Sequence, residues 1–171
     1  RLKEAEDGTR IVYFIDAAHF VLSAFLGQLW SFTRVFIKTP SGRQRFNVLG
    51  ALNAITKELV MISNDTYISS TQVCELLHKI KAKTILPITI VLDNARYQRC
   101  KLVMGLAETL EIELLFLPPY SPNLNLIERV WKFTKKECLN SRYYADFKQF
   151  RSAISGFLDE MHFIVWVIQG M

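Results

Sequence analysis

The spacing of apolar and polar positions along the chain changes period once, near residue 69. Before that point the apolar runs are short and strand-like. Residues 11–16, Ile-Val-Tyr-Phe-Ile-Asp, are β-branched and aromatic up to the final acid, the pattern of a strand buried on both faces. Residues 20–25 fit a strand or a helix. Residues 30–38 mix apolar and polar positions in strand fashion. Thr39-Pro40-Ser41-Gly42 then supplies turn chemistry, and residues 45–55 return as a second strand-like run. Residues 59–63 give a third, so an antiparallel meander is expected beside the first strand.

Beyond residue 69 the period becomes helical. Val73, Leu76, Leu77 and Ile80 share one face of a helix expected over 69–83, with Ser69 or Ser70 as its N-cap. A strand at 87–92, a helix at 98–110 (Leu102, Val103, Leu106 and Leu110 on one side) and a strand at 112–117 follow. A proline-rich loop, 118–125, leads to helices at 126–139 and 146–160. At about 100° per residue, Ile127, Val130, Trp131, Thr134 and Cys138 form one core-facing arc. Strands first, then alternating helix and strand, then helices describe an α/β fold, a mixed sheet with helices packed on its faces. Residues 161–171 break character: they are almost wholly apolar and fit either a final buried strand or an aberrant, truncated end. No internal repeat, low-complexity segment or interdomain linker interrupts residues 11–160, which read as one domain.

Half of the residues are apolar, yet no run approaches the ~20 needed to span a bilayer, so no membrane partner is expected. Residues 1–10 are mixed-charge and polar and lack an initiator Met, so they read as a lead-in from an upstream region rather than a signal peptide. Cys74, Cys100 and Cys138 are odd in number and widely spaced, which argues for free thiols in a reducing cytoplasm and against zinc. The net charge of +5 is concentrated. Residues 129–151 hold seven bases (Arg129, Lys132, Lys135, Lys136, Arg142, Lys148 and Arg151) and two acids (Glu137 and Asp146), a difference of +5. Arg34, Lys38, Arg43 and Arg45 form a second basic group without an acid. Clustered bases fit a phosphate-binding surface as well as a plain solvated face.

Three acids stand where structure alone does not call for them. Asp16 closes the first buried strand, where an unpaired carboxylate is costly. Asp93 follows the strand at 87–92, and Glu128 opens the helix after the proline-rich loop. Carboxylates about 4 Å apart repel by roughly 4 kcal/mol at an effective dielectric of 20, so a cluster needs protons or a cation. Oxygen ligands of this kind suit Mg²⁺ or Mn²⁺, and a pair of such ions supports phosphoryl transfer. Two of the acids also have a structural explanation. Asp93-Asn94 makes a common Asx turn. Asn125-Leu126-Ile127-Glu128 resembles a capping box, and Glu128 could instead pair with Lys132 one turn on.

The runs Tyr13-Phe14-Ile15-Asp16-Ala17-Ala18-His19-Phe20, Leu92-Asp93-Asn94-Ala95 and Leu117-Pro118-Pro119-Tyr120-Ser121-Pro122-Asn123-Leu124-Asn125-Leu126-Ile127-Glu128 resemble the catalytic domain of DDE transposases. Within that superfamily the chain is similar to the mariner-like group and its bacterial insertion-sequence relatives, over about residues 12–157. The proline-rich block is the specific part, and the 34 residues between Asp93 and Glu128 fit the group's spacing. The resemblance implies a ribonuclease H-like fold with a mixed five-stranded sheet and helices on both faces. It implies that Asp16, Asp93 and Glu128 bind two Mg²⁺ (or Mn²⁺) ions, cut double-stranded DNA at transposon ends and direct a 3′-hydroxyl onto target DNA. Asn94 and Asn125 would position that centre, Tyr120 and the prolines would stiffen the loop that delivers Glu128, and Arg34, Lys38, Arg43, Arg45, Arg129, Lys132, Lys135 and Lys136 would hold DNA. Transposition implies a cytoplasmic, nucleoid-associated protein, with a homodimer as the candidate assembly.

The chain departs from the family in places. Relatives often carry His five residues after the second Asp; here Gln98 stands there. His19 has structural and catalytic readings of equal weight. The helix-turn-helix segments that recognise transposon ends are missing from this sequence, so a truncated element is expected. A ribonuclease H-like nuclease or resolvase and a non-catalytic DNA-binding remnant are the alternatives.

Overall fold

The computed structural model describes residues 1–22, 32–33, 44–118 and 124–161. In chain order the elements are α1 (Leu2–Glu6), β1 (Ile11–Leu22), β2 (Gln44–Asn53), β3 (Leu59–Asn64), α2 (Ser70–Lys81), β4 (Ile88–Leu92), α3 (Lys101–Thr109), β5 (Ile112–Phe116), α4 (Ile127–Leu139) and α5 (Phe147–Asp159). The five strands form one sheet in the order β3-β2-β1-β4-β5. The β1–β2 and β2–β3 pairs are antiparallel, whereas β4 runs parallel to β1 and β5 parallel to β4. This is the mixed sheet expected from the change of period. Of the strand expected at 30–38 only residues 32–33 are described, as a bend, and the apolar tail at 162–171 lies outside the described residues.

Alternation along β1 divides the core between the two faces of the sheet. Tyr13 and Ile15 point to a core built with Leu49, Ala51, Ile88 and Ile90, covered by Val73, Leu76, Leu77 and Ile80 of α2 and Val103 and Ala107 of α3. Ala18, Phe20 and Leu22 point the other way, to Phe46, Val48, Leu52 and the apolar faces of α4 and α5. The stripe expected on α4 is the one that is buried: Ile127, Val130, Trp131, Thr134 and Cys138. In α3 the expectation fails in part. The buried residues are Val103 and Ala107, and Leu102, about 100° round the helix axis from Val103, is exposed to solvent.

Two further departures bear on the site. Residues 20–22 belong to β1, which is twelve residues long, so Asp16 lies in mid-strand rather than at its end. Within residues 1–10 a short helix forms, for which the polar, mixed-charge pattern gave no expectation: α1 buries Ala5 against Val12, Ala54 and Val91. Arg10 donates to Glu4 and to the buried Thr89 hydroxyl, which in turn donates to Glu113 at 2.6 Å. That network fastens α1 to β4 and β5.

Ser69 begins α2 with a capping box: its hydroxyl accepts from the Thr71 N–H, and its own N–H donates to Gln72 Oε1 at 2.9 Å. Ser69→Ala should lower stability by about 1 kcal/mol, read as a smaller urea midpoint with an unchanged slope.

Candidate active site

The geometry of the site follows from where β4 stops. Its parallel pairing with β1 runs from Ile11↔Ile88 to Phe14↔Val91. Two residues further along each strand, the same register sets Asp93 abreast of Asp16. On its other side β1 continues to pair with β2 through Leu22↔Gln44. Asp16 therefore lies at the step where one neighbouring strand ends and the other goes on.

The even-numbered positions of β1 face α4, and Asp16 shares that side. Its Oδ2 accepts a hydrogen bond from Trp131 Nε1 at 3.1 Å. Burial pushes the Asp16 carboxyl up to about 7, and the neighbouring Glu128 and Asp93 carboxylates push in the same direction. The Ala17 N–H and the Trp131 indole oppose that rise by donating to the charged form. Asp16, on β1, thus feels the charge both of Asp93, the residue after β4, and of Glu128, in the first turn of α4. Among the described residues, however, no three Asp, Glu, His or Cys side chains are drawn together tightly enough to enclose a metal ion. The arrangement is an open acidic cluster.

The start of α4 differs from the capping box expected of Asn125 and Glu128. Ile127 is the first helical residue, Leu126 is the N-cap, and no side chain caps the helix. The Asn125 side chain is buried and turned to the sheet instead, where Nδ2 donates to the Ile15 carbonyl at 3.2 Å. Its backbone carbonyl accepts from the Glu128 N–H at 3.2 Å. One residue thus links the peptide before Asp16 to the turn that carries Glu128. Nor is Glu128 engaged with Lys132, since no ion pair joins them among the described residues. Neither structural explanation for Glu128 is seen among the described residues; its half-buried carboxylate adds to the charge felt by Asp16.

Asn94 holds the loop after β4. Its amide donates to the Leu117 carbonyl at the end of β5, and its Oδ1 accepts from Arg99 at 3.2 Å. Gln98, in the position where relatives often have His, is buried. Its amide nitrogen lies 3.4 Å from the Tyr97 hydroxyl, and its Oε1 has no partner among the described residues. Nothing in the sequence pattern points to Tyr97. Burial, then the charge of Asp16, push its phenol up to about 12, and Asp93 adds to the effect. The spacing of Trp131 marks it only as core; it does not announce an indole N–H aimed at a carboxylate.

His19 belongs to the opposite face. Its Nδ1 lies 2.7 Å from Asn47 Oδ1, while the Asn47 amide donates to Asn64 Oδ1 and to the Thr66 carbonyl. That fixes the Asn47 orientation and makes His19 Nδ1 the donor, a structural role away from the acids. Of the basic residues, Arg45, Arg129, Lys132, Lys135 and Lys136 are exposed, and Arg34, Lys38 and Arg43 lie outside the described residues, as do Pro119, Tyr120 and Pro122. The three cysteines are free. No helix among the described residues is long and apolar enough to cross a membrane.

Residues 11–151 match the family profile described as DDE superfamily endonuclease. The chain is 25% identical over 126 residues, 71% of its length, to the "Insertion element IS630 uncharacterized 39 kDa protein" of Shigella sonnei, of which it covers 36%. It thus spans about a third of that curated relative. Among solved structures it is similar to the Mos1 transposase in its paired-end complex with the left transposon end, with a TM-score of 0.65 at 12% identity, covering 94% of this chain and 50% of that one. The catalytic core domain of BIV integrase superposes with a TM-score of 0.56 at 14% identity, covering 86% of this chain and 80% of that one. At such identities the likeness is one of fold, the ribonuclease H-like arrangement. Together, the strand order, the helices on both faces and a family match over residues 11–151 identify the chain as a member of the DDE superfamily endonuclease family.

Proposed function

We propose that residues 11–160 are the catalytic domain of a transposase that cuts double-stranded DNA at element ends and joins the freed 3′-hydroxyl to target DNA. The observation that supports this reading is the β1–β4 register, which brings Asp93 towards Asp16 at the step in the sheet, with the charges of Asp93 and Glu128 both acting on the Asp16 carboxyl. A half-buried carboxylate under the charge of two others has the donor chemistry a divalent cation takes, because hard oxygen donors of like charge are what Mg²⁺ or Mn²⁺ neutralises. Asp16, Asp93 and Glu128 would hold two such ions. When bound, the ions would polarise the scissile phosphate and lower the pKa of the attacking hydroxyl. The side chains of this protein do the rest. Asn125 ties Asp16's strand to Glu128's helix, Asn94 ties the Asp93 loop to β5, and the exposed bases of α4 receive the DNA backbone. DNA is therefore the proposed partner, in transposon ends and target alike, with a homodimer as the assembly and the nucleoid of a cytoplasm as the place of action.

The open spacing of the acids favours a second reading, a DNA-binding remnant without catalysis. Cleavage separates the two. Asp16→Asn, Asp93→Asn and Glu128→Gln should each lower Mg²⁺-dependent cutting of duplex DNA by roughly a hundredfold or more. Joined products from pre-cut DNA with Mn²⁺ would exclude a simple hydrolase, and wild-type activity in all three variants would sink the triad. Lys132→Ala with Lys136→Ala should instead weaken DNA binding and make it less sensitive to salt, by about one unit of slope for each phosphate no longer neutralised.

A second expectation concerns stability. Asp16 has a folded value of about 7, above its ordinary 3.8. The metal-free folded state therefore binds this proton more tightly than the unfolded chain does. The contribution is fully present below about pH 4 and lost as the pH rises through about 7. In EDTA at about pH 8, Asp16→Asn should be more stable than the wild type, by up to about 4 kcal/mol, and the gap should close towards about pH 4. Excess Mg²⁺ should close it at pH 8 too, since the ion stabilises only the protein that binds it. Calorimetric melting temperatures of the two proteins with and without Mg²⁺ measure both effects.

A further inference from the structure

The residue across the β1–β2 ladder from Asp16 is Gly50. A Cβ at position 50 would lie 2.7 and 2.9 Å from two carbons of the Trp131 ring and 3.0 Å from the Ile127 side chain. The indole therefore rests directly on the β2 backbone, in space that any other residue at position 50 would fill. From that seat Nε1 donates to Asp16 at 3.1 Å, and the ring meets Phe20 edge-on with centroids 6.4 Å apart. Trp131 is 2% exposed, and the bond to Asp16 satisfies its N–H.

We propose that Gly50 and Trp131 act as a positioning unit for Asp16: the absent side chain at 50 seats the indole, and the indole N–H fixes the orientation in which Asp16 meets a divalent cation. This rests on the metal reading of the acidic cluster. A tryptophan needed only for packing would be indifferent to the loss of its N–H. A glycine needed only for the strand would be improved by alanine, because glycine in a strand interior costs conformational entropy. The two residues are coupled through the ring and reach the carboxylate by one hydrogen bond. Both are positioning residues, since neither would touch DNA or the ion.

The experiment is a calorimetric titration of the 171-residue chain with Mn²⁺, comparing wild type, Trp131→Phe, Gly50→Ala and Asp16→Asn, with circular dichroism to establish folding. Trp131→Phe keeps an aromatic ring and removes the donor. Gly50→Ala keeps the donor and displaces the ring. Each should weaken Mn²⁺ binding roughly tenfold, the scale of one hydrogen bond to a charged group, and Asp16→Asn should weaken it further. Wild-type affinity in folded Trp131→Phe and Gly50→Ala, with Asp16→Asn impaired, overturns the positioning unit and leaves the acid cluster standing. Affinity unchanged in Asp16→Asn overturns both. A second readout does not depend on Trp131→Phe or Gly50→Ala folding. In a Trp30→Phe/Trp166→Phe background the one remaining indole N–H resonance should move when Mg²⁺ is added, and should not move once Asp16→Asn is introduced. A resonance insensitive to Mg²⁺ in the presence of Asp16 overturns the proposal.

Discussion

A carboxylate in the middle of the central strand of a sheet has to be compensated by whatever surrounds it, and much of this fold is arranged around that demand. Asp16 is flanked by Gly50 on one side and by the end of β4 on the other, beneath the first turns of α4. Burial and two neighbouring carboxylates disfavour its charge; an indole N–H and a peptide N–H favour it. Those contributions leave the group balanced near neutrality, where a bound cation or a bound proton can decide its state. The early end of β4 matters for the same reason. If β4 paired along the whole of β1, strand and side chains would cover the step at which Asp93 comes alongside.

The sheet is largely legible from period alone, because two strands buried on both faces and one clean amphipathic helix leave few alternatives. Val73, Leu76, Leu77 and Ile80 of α2 and the five-residue stripe of α4 are buried as their spacing requires. The misreadings have local causes. Residues 17–19, Ala-Ala-His, break the apolar run and hide the second half of β1, which is held by its pairing with β2 as well as by Ala18, Phe20 and Leu22 in the core. The sequence Asn-x-x-Glu has the right spacing for a capping box, but Asn125 finds a stronger demand in the Ile15 carbonyl across the sheet. Tertiary hydrogen bonding overrides a local signal there.

Within the candidate site, the acids can be found from their positions at the ends of apolar runs and from the proline-rich block. The residues that support them cannot. Trp131 looks like any core aromatic on a helical stripe, Gly50 like any small residue in a strand, and Tyr97 like part of a turn. Their relation to Asp16 exists only after β2, α4 and the β4 loop have been brought together, across sequence separations of 34 to 115 residues. Sequence spacing reports neighbours on one element; it carries little about which side chain another element will aim at it.

The close approach of the indole to Gly50 has a consequence for how copies of such a gene would age. A lineage released from selection accumulates substitutions everywhere, and its survivors are usually judged by whether the acidic signature is still spelled out. Here a copy can keep Asp16, Asp93 and Glu128 unaltered and still lose the seat beneath Trp131 through a single change at position 50. Glycine codons turn into those of larger residues by one-base changes, so this is an easily reached form of silence. The letter that distinguishes a working copy from a relic would then lie outside the signature, in a strand that carries no chemistry of its own.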